Sequence, residues 1–220
     1  VRRDLSLLVT GSMSPRRPEN PPLDRDRLGS DPMDQFAVWS AEARTDVPLD
    51  EAMTLATVDE EGSPDARMVL LKGFGPDGFR FFTNYESAKG AELAANPRAA
   101  LVIYWRELDR QVRVRGAVER LSEADSDDYF ATRPRDSRVA AAISPQSRPI
   151  EREELERRYR EMLDELEDAD PARPDSWGGY LVRPDAIEFW QGRESRMHDR
   201  FLYTRKTGNE EGWRIERLAP

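Results

Sequence analysis

The chain has 220 residues, no cysteine, one histidine, and 43 acidic against 34 basic side chains, for a formal net charge of -9. The missing cysteines exclude disulfides, thiolate zinc sites, iron–sulfur clusters and cysteine nucleophiles, and a lone histidine excludes His-pair metal sites. No metal is therefore expected, and the chemistry calls for another agent such as a bound organic cofactor.

The acidic balance argues against a general nucleic-acid partner, because phosphate contacts need a basic field. No apolar run approaches the roughly 20 residues that span a bilayer. The apolar stretch Leu5 to Val9 is shorter than the ~7–15 residues of a secretory core, so the expectation is a cytoplasmic protein without a membrane partner.

In chain order, residues 1–30 carry Pro15, Pro18, Pro21 and Pro22 among Arg, Asp and Ser, and read as a mobile arm. Residues 31–220 read as one domain. Asp31-Pro32 opens a helix that presents Met33, Phe36, Trp39 and Ala43 on one face and ends near Arg44. Short β-rich runs follow over Met53–Val58, Arg67–Phe74 and Phe79–Thr83, with turn residues between them. A short helix over Ser87–Ala95 stops at Asn96-Pro97. Strands are expected over Ala99–Trp105 and Gln111–Leu121; in the second, Val112, Val114, Gly116 and Val118 alternate with polar residues, the period of a sheet with one buried face.

Ser122 opens an acidic helix ending near Thr132, before Arg133-Pro134. Glu151–Asp168 is the clearest helix, with Leu155, Tyr159, Met162 and Leu166 on one stripe. Strand-like runs close the chain over Gly179–Arg183, Ile187–Trp190, Phe201–Arg205 and Trp213–Leu218. β-runs joined by tight turns, with helices inserted instead of alternating, favour an α+β fold on an antiparallel, barrel-like sheet.

Gly73-Phe-Gly75-Pro-Asp-Gly78 matches the dinucleotide fingerprint, but that fingerprint requires a helix next to receive a pyrophosphate. Pro76-Asp77-Gly78 followed by Phe79-Arg-Phe-Phe82 is hairpin chemistry instead. Arg67 and Lys72 sit in an otherwise apolar run and point to opposite faces if the strand is regular. Such charges need a partner or an anion, and Lys89 at a helix start adds to a phosphate-type corner, although on local pattern alone ordinary surface lysines and caps are the favoured reading. Tyr129 to Ser137 holds two arginines beside hydroxyls, a second candidate anion site. Glu188 to Arg200 gathers three arginines and the only histidine beside Trp190.

The motifs Arg67-Met-Val-Leu-Leu-Lys72, Phe82-Thr-Asn, Arg133-Pro-Arg-Asp-Ser137, Gln146-Ser147, Trp177-Gly-Gly, Glu188-Phe-Trp-Gln-Gly, Arg196-Met-His-Asp-Arg200 and Arg217-Leu-Ala-Pro occur in this order. Across Asp31 to Pro220 the chain resembles the pyridoxamine 5′-phosphate oxidase family. The resemblance implies an FMN-binding split β-barrel, antiparallel and Greek-key-like with peripheral helices, and a homodimer holding FMN at the subunit interface. It implies FMN contacts from Arg67, Met68, Val69, Leu70, Lys72, Phe82, Thr83, Lys89, Gln111, Gln146, Ser147, Trp190 and Arg200. It also implies a substrate phosphate among Lys72, Tyr129, Arg133 and Ser137, with Arg196 and His198 as the catalytic pair near the pyridine ring.

The implied reaction oxidises pyridoxamine or pyridoxine 5′-phosphate to pyridoxal 5′-phosphate, with O2 as acceptor and H2O2 as product. Two departures stand out: Ala88 where many members have arginine, and no Arg-x-x-Tyr lid motif in the arm. The alternatives are a related FMN oxidase of phenazine biosynthesis and a noncatalytic protein that binds flavin or pyridoxal phosphate.

Overall fold

A computed structural model describes residues 21–207 and 211–220. Nine antiparallel strands form one curled sheet: β1 (Ala52–Val58), β2 (Pro64–Leu70), β3 (Gly73–Gly75), β4 (Gly78–Asn84), β5 (Arg98–Trp105), β6 (Arg110–Arg120), β7 (Trp177–Gln191), β8 (Asp199–Arg205) and β9 (Trp213–Arg217). Among the described residues five α-helices surround it: α1 (Pro32–Asp46), α2 (Ala88–Ala95), α3 (Glu123–Thr132), α4 (Arg135–Ile143) and α5 (Arg152–Leu166). Among the described residues no helix is long and apolar enough to cross a membrane.

The strand order is β2-β1-β5-β6-β7-β4-β3, and β8 leaves this path by pairing with β7 and β9. The fork lies within β7, whose first half pairs with β4 and whose second half pairs with β8. Between the halves the β6–β7 register slips beside Gly116. Pro184 suits that bulge because it has no N–H to give the ladder. Gly116 is required there, since a Cβ would sit 1.9 Å from the Arg183 carbonyl oxygen. The two strands expected over 179–183 and 187–190 are thus one strand bent at its proline.

Helix α1 begins as its sequence suggests, with the Asp31 side chain accepting from the Met33 amide and Pro32 in the first turn. Its apolar face closes the inner side of the sheet. Phe36 is fully buried, with edge-on contacts to Phe74 at 4.8 Å and Phe79 at 4.9 Å.

Three further differences from the sequence reading have physical causes. The run expected over Arg67–Phe74 is broken, because β2 ends at Leu70 and the Lys72 amide turns to the Arg80 carbonyl of the next hairpin. Helix α4 was not anticipated after the Arg133-Pro134 step; Pro134 stops α3 but its fixed φ suits the entry to a new helix. Of the arm expected over residues 1–30, positions 1–20 lie outside the described residues. From Pro21 onward the chain is tied down: Leu23 and Leu28 are buried, and the Leu23 amide donates to Asp199 Oδ2 at 3.1 Å.

Candidate functional site

The phosphate-type corner is built where β4 turns into α2. Ser87 caps the helix by accepting from the Gly90 amide. Gly90 lets the helix approach closely, since a Cβ there would lie 2.0 Å from the Tyr85 carbonyl oxygen. This places Lys89, only 8% exposed, with its Nζ 3.2 Å from Thr83 Oγ1, 3.2 Å from Ser87 Oγ and 3.0 Å from Gln146 Oε1. The ammonium thus donates to three neutral oxygens. Burial, helped by the nearby Arg67 charge, lowers its pKa from the usual lysine value, while Glu92 acts in the opposite sense.

Strand alternation divides the Arg67–Leu70 run. Arg67 and Val69 face the α2 side, whereas Met68 and Leu70 are exposed on the opposite face of the edge strand. Arg67 Nη1 reaches the Leu55 carbonyl and Thr57 Oγ1, and its Nη2 donates to Asp65 at 2.6 Å and Glu92 at 2.8 Å. Ser147, beside Gln146, holds a left-handed φ of 70°, a conformation that costs energy for any residue with a Cβ.

A second cluster forms where α3 meets the start of β7. Phe82, Tyr129 and Trp177 stack, with Phe82 and Tyr129 centroids 3.8 Å apart. The Arg133 guanidinium lies over the Trp177 ring at 4.7 Å and Phe130 at 5.6 Å. Its Nη1 is buried with no hydrogen-bond partner, and burial lowers its pKa from the usual arginine value. Burial likewise raises the Tyr129 phenol, with Arg133 opposing. Asn84, Arg133, Ser137, Gln146, Tyr159 and Trp177 share a cavity of about 680 Å³ between this cluster and the α4–α5 pair. The apolar stripe of α5 is half-buried, and its Leu155 and Tyr159 line this cavity. Lys72 lies elsewhere, in a smaller depression with Glu51, its Nζ 3.7 Å from that carboxylate.

The third cluster is on the outer face of the sheet. Cross-strand register aligns Tyr104, Gln111, Trp190 and Arg200 in one row across β5, β6, β7 and β8. Buried Glu188 lies between two arginines, accepting from Arg200 Nε at 2.8 Å and Arg113 Nη1 at 3.2 Å. Trp190 packs against His198 at 4.7 Å. The Arg193 amide donates to His198 Nδ1 at 3.1 Å, which leaves Nε2 to carry the ring proton in the neutral imidazole. Ser195 and Arg196 both have left-handed φ values, 55° and 59°, so the loop presenting Arg196 is strained.

The structure therefore brings Thr83, Lys89 and Gln146 together, with Arg67 close by. It groups Phe82 with Tyr129 and places Arg133 and Ser137 on one cavity. Gln111, Trp190, Arg200 and His198 form a separate row with exposed Met68, Leu70 and Tyr104 on the same face. Neither Arg196 nor His198 lines the Arg133 cavity. Sequence reasoning missed the roles of Glu92, Glu188 and Tyr159. Only Glu92 had a local signal: three positions after Lys89 on a helix, it shares that residue's face.

Comparison with known proteins bears on both halves of the chain. Residues 40–163 match the family model described as pyridoxamine 5′-phosphate oxidase, and residues 177–220 match one described as the pyridoxine 5′-phosphate oxidase C-terminal dimerisation region. A pyridoxine/pyridoxamine 5′-phosphate oxidase of Bordetella pertussis is 51% identical over 199 residues, covering 90% of this chain and 93% of the relative. One from Burkholderia thailandensis is 54% identical over 200 residues, with the same shares. Among solved structures, PhzG from Burkholderia lata in complex with tetrahydrophenazine-1-carboxylic acid superposes with a TM-score of 0.83 at 28% identity, covering 96% of this chain and all of that one, 100%. A pyridoxamine 5′-phosphate oxidase-related, FMN-binding protein from Nostoc punctiforme shares the fold, with a TM-score of 0.70 at 19% identity over 88% of this chain and 99% of its own.

Proposed function

The chain belongs to the pyridoxamine 5′-phosphate oxidase family of oxidoreductases, and from that premise we propose that it binds FMN between two copies of itself and oxidises pyridoxamine or pyridoxine 5′-phosphate to pyridoxal 5′-phosphate. The observation that carries the substrate assignment is Arg133: a half-buried arginine whose Nη1 is buried without a hydrogen-bond partner, beside a cavity that also holds Ser137. A group so placed calls for an anion. The residues also fit the cofactor, because Lys89 offers a desolvated cation that meets only neutral oxygens and Met68 and Leu70 offer exposed apolar surface.

FMN, when bound, supplies a hydride acceptor and passes the electrons on to O2, so that amine substrate, O2 and water give aldehyde, ammonia and H2O2. In this reading Arg67, Lys89, Thr83, Gln146 and Ser147 hold the cofactor phosphate and its chain, with Phe82 and Val69 nearby. Gln111, Trp190 and Arg200 hold the remainder. Tyr129, Arg133 and Ser137 bind the substrate phosphate; Lys72, expected with them, lies in the separate depression beside Glu51. Arg196 and His198 orient the pyridine ring, the histidine donating from Nε2. The separation of the Gln111–Trp190–Arg200 row from the Lys89 corner, together with the match of residues 177–220 to a dimerisation region, supports a site completed by a second copy.

The test is an absorbance spectrum of the protein with FMN, followed by pyridoxamine 5′-phosphate without oxygen. Bleaching of the flavin band, pyridoxal phosphate formation and return of colour with H2O2 on admitting air are expected. Bound flavin that stays oxidised would shift the substrate toward the phenazine type, and absence of flavin binding would refute the proposal.

A further inference from the structure

Arg67 is described above as a cofactor-phosphate ligand, yet its terminal nitrogens are already engaged. Nη1 is taken by Thr57 Oγ1 and the Leu55 carbonyl, and Nη2 by the Asp65 and Glu92 carboxylates. Of these partners Glu92 is the one that also belongs to the Lys89 helix. Its side chain is 11% exposed, it accepts a second hydrogen bond from the Thr57 hydroxyl, and its charge is felt at Lys89. A carboxylate is thus built into the corner where two cations converge.

We propose that Glu92 sets the affinity for the cofactor's phosphate by occupying Arg67 as an internal anion that an incoming phosphate must displace. The inference rests on the reading that Arg67 and Lys89 receive that phosphate. A phosphate dianion arriving there meets Arg67 with its charge largely offset and meets the Glu92 carboxylate directly. Both effects weaken phosphate binding relative to a corner with a neutral residue at 92, because like charges repel and a shared donor must be given up. Neither effect touches a flavin that lacks phosphate. Glu92 is therefore a specificity-setting residue that acts through Arg67 and narrows the preference for the phosphorylated flavin. Because Glu92 anchors Thr57 as well, a glutamine at 92 keeps an oxygen for the same donors while its amide N–H can donate to phosphate.

The experiment titrates the full-length, flavin-stripped protein with FMN and with riboflavin, following the quenching of flavin fluorescence. For Glu92→Gln the Kd for FMN falls by roughly fivefold or more, the size of one partly screened charge contact, and the Kd for riboflavin stays unchanged. Asp65→Asn, at the more exposed carboxylate, gives a smaller shift in the same direction. A Glu92→Gln protein that melts like the parent but binds FMN equally or more weakly overturns the proposal, as does equal tightening toward both flavins. Should Glu92→Gln fold poorly, Asp65→Asn alone carries the test, and no tightening of FMN there overturns it. If the parent protein binds neither flavin, the underlying cofactor reading fails together with the inference.

Discussion

Replacing Arg133 with methionine keeps a long apolar stem over Trp177 and removes the guanidinium. In the ligand-free protein this deletes a buried donor without a partner, which costs about 1–3 kcal/mol while it persists. It also removes the cation–π contacts to Trp177 and Phe130, worth about 0.5–2 kcal/mol. The two effects oppose each other, so the melting temperature should stay level or rise slightly. In the complex the same group supplies a charge-assisted hydrogen bond worth about 1.5–3 kcal/mol. Its loss raises KM for pyridoxamine 5′-phosphate by roughly ten- to a hundredfold, with a much smaller change in kcat. Initial rates of H2O2 formation against substrate concentration, with thermal melts in inorganic phosphate, measure both sides. Phosphate should stabilise the parent more than the variant, which keeps only the Lys89 corner as an anion site. An unchanged KM with a collapsed kcat, or a stability loss above about 2 kcal/mol, would refute the idea that Arg133 waits for an anion.

Further outcomes follow from the same geometry. Lys89→Met abolishes FMN binding yet stabilises the flavin-free protein at neutral pH. The lysine's pKa is lowered by burial, so its penalty is full below the folded pKa and is relieved as pH rises toward the unfolded value. The parent's stability therefore climbs on the alkaline side, whereas the variant's melting curve lacks that rise. For Asp199, burial alone would raise the carboxyl, but hydrogen bonds from Arg193, the Leu23 amide and Arg217 outweigh it and hold its pKa below the ordinary value. That stabilisation is present above the unfolded pKa and is lost as pH falls through the lowered folded one. Asp199→Ala should release residues 21–30, seen as new proteolytic cleavage near Leu23, and cost about 1–3 kcal/mol. Phe36→Ala empties a fully buried ring site and should cost about 3–5 kcal/mol in denaturant melts, with a smaller change in FMN affinity, since Phe36 contacts none of the residues assigned to the cofactor and packs on Phe74, Phe79 and Trp105.

Much of this molecule can be read from local pattern. Alternation in Gln111–Leu121 identified a half-buried strand because side-chain direction in a strand has period two whatever the partner. Asp31-Pro32 and Ser87 marked helix starts because capping involves only neighbouring residues. The turn chemistry of Pro76-Asp77-Gly78 ruled out a nucleotide fingerprint, and the β3–β4 hairpin agrees. The ordered motifs pointed to the family, which whole-chain similarity then showed. Tertiary structure alone decided which of these pieces meet. Pro184 and Gly116 appear locally as ordinary breakers; only pairing with β6 makes them the bend at which β7 serves two sets of partners. Arg67 and Lys89 are 22 positions apart in sequence, and both come near Glu92 because α2 folds back against β1, the strand that pairs with β2. The unpartnered Arg133 nitrogen is likewise invisible in sequence. Whether a charge is satisfied depends on every group that surrounds it in space, and local periodicity carries no information about groups that arrive from elsewhere in the chain.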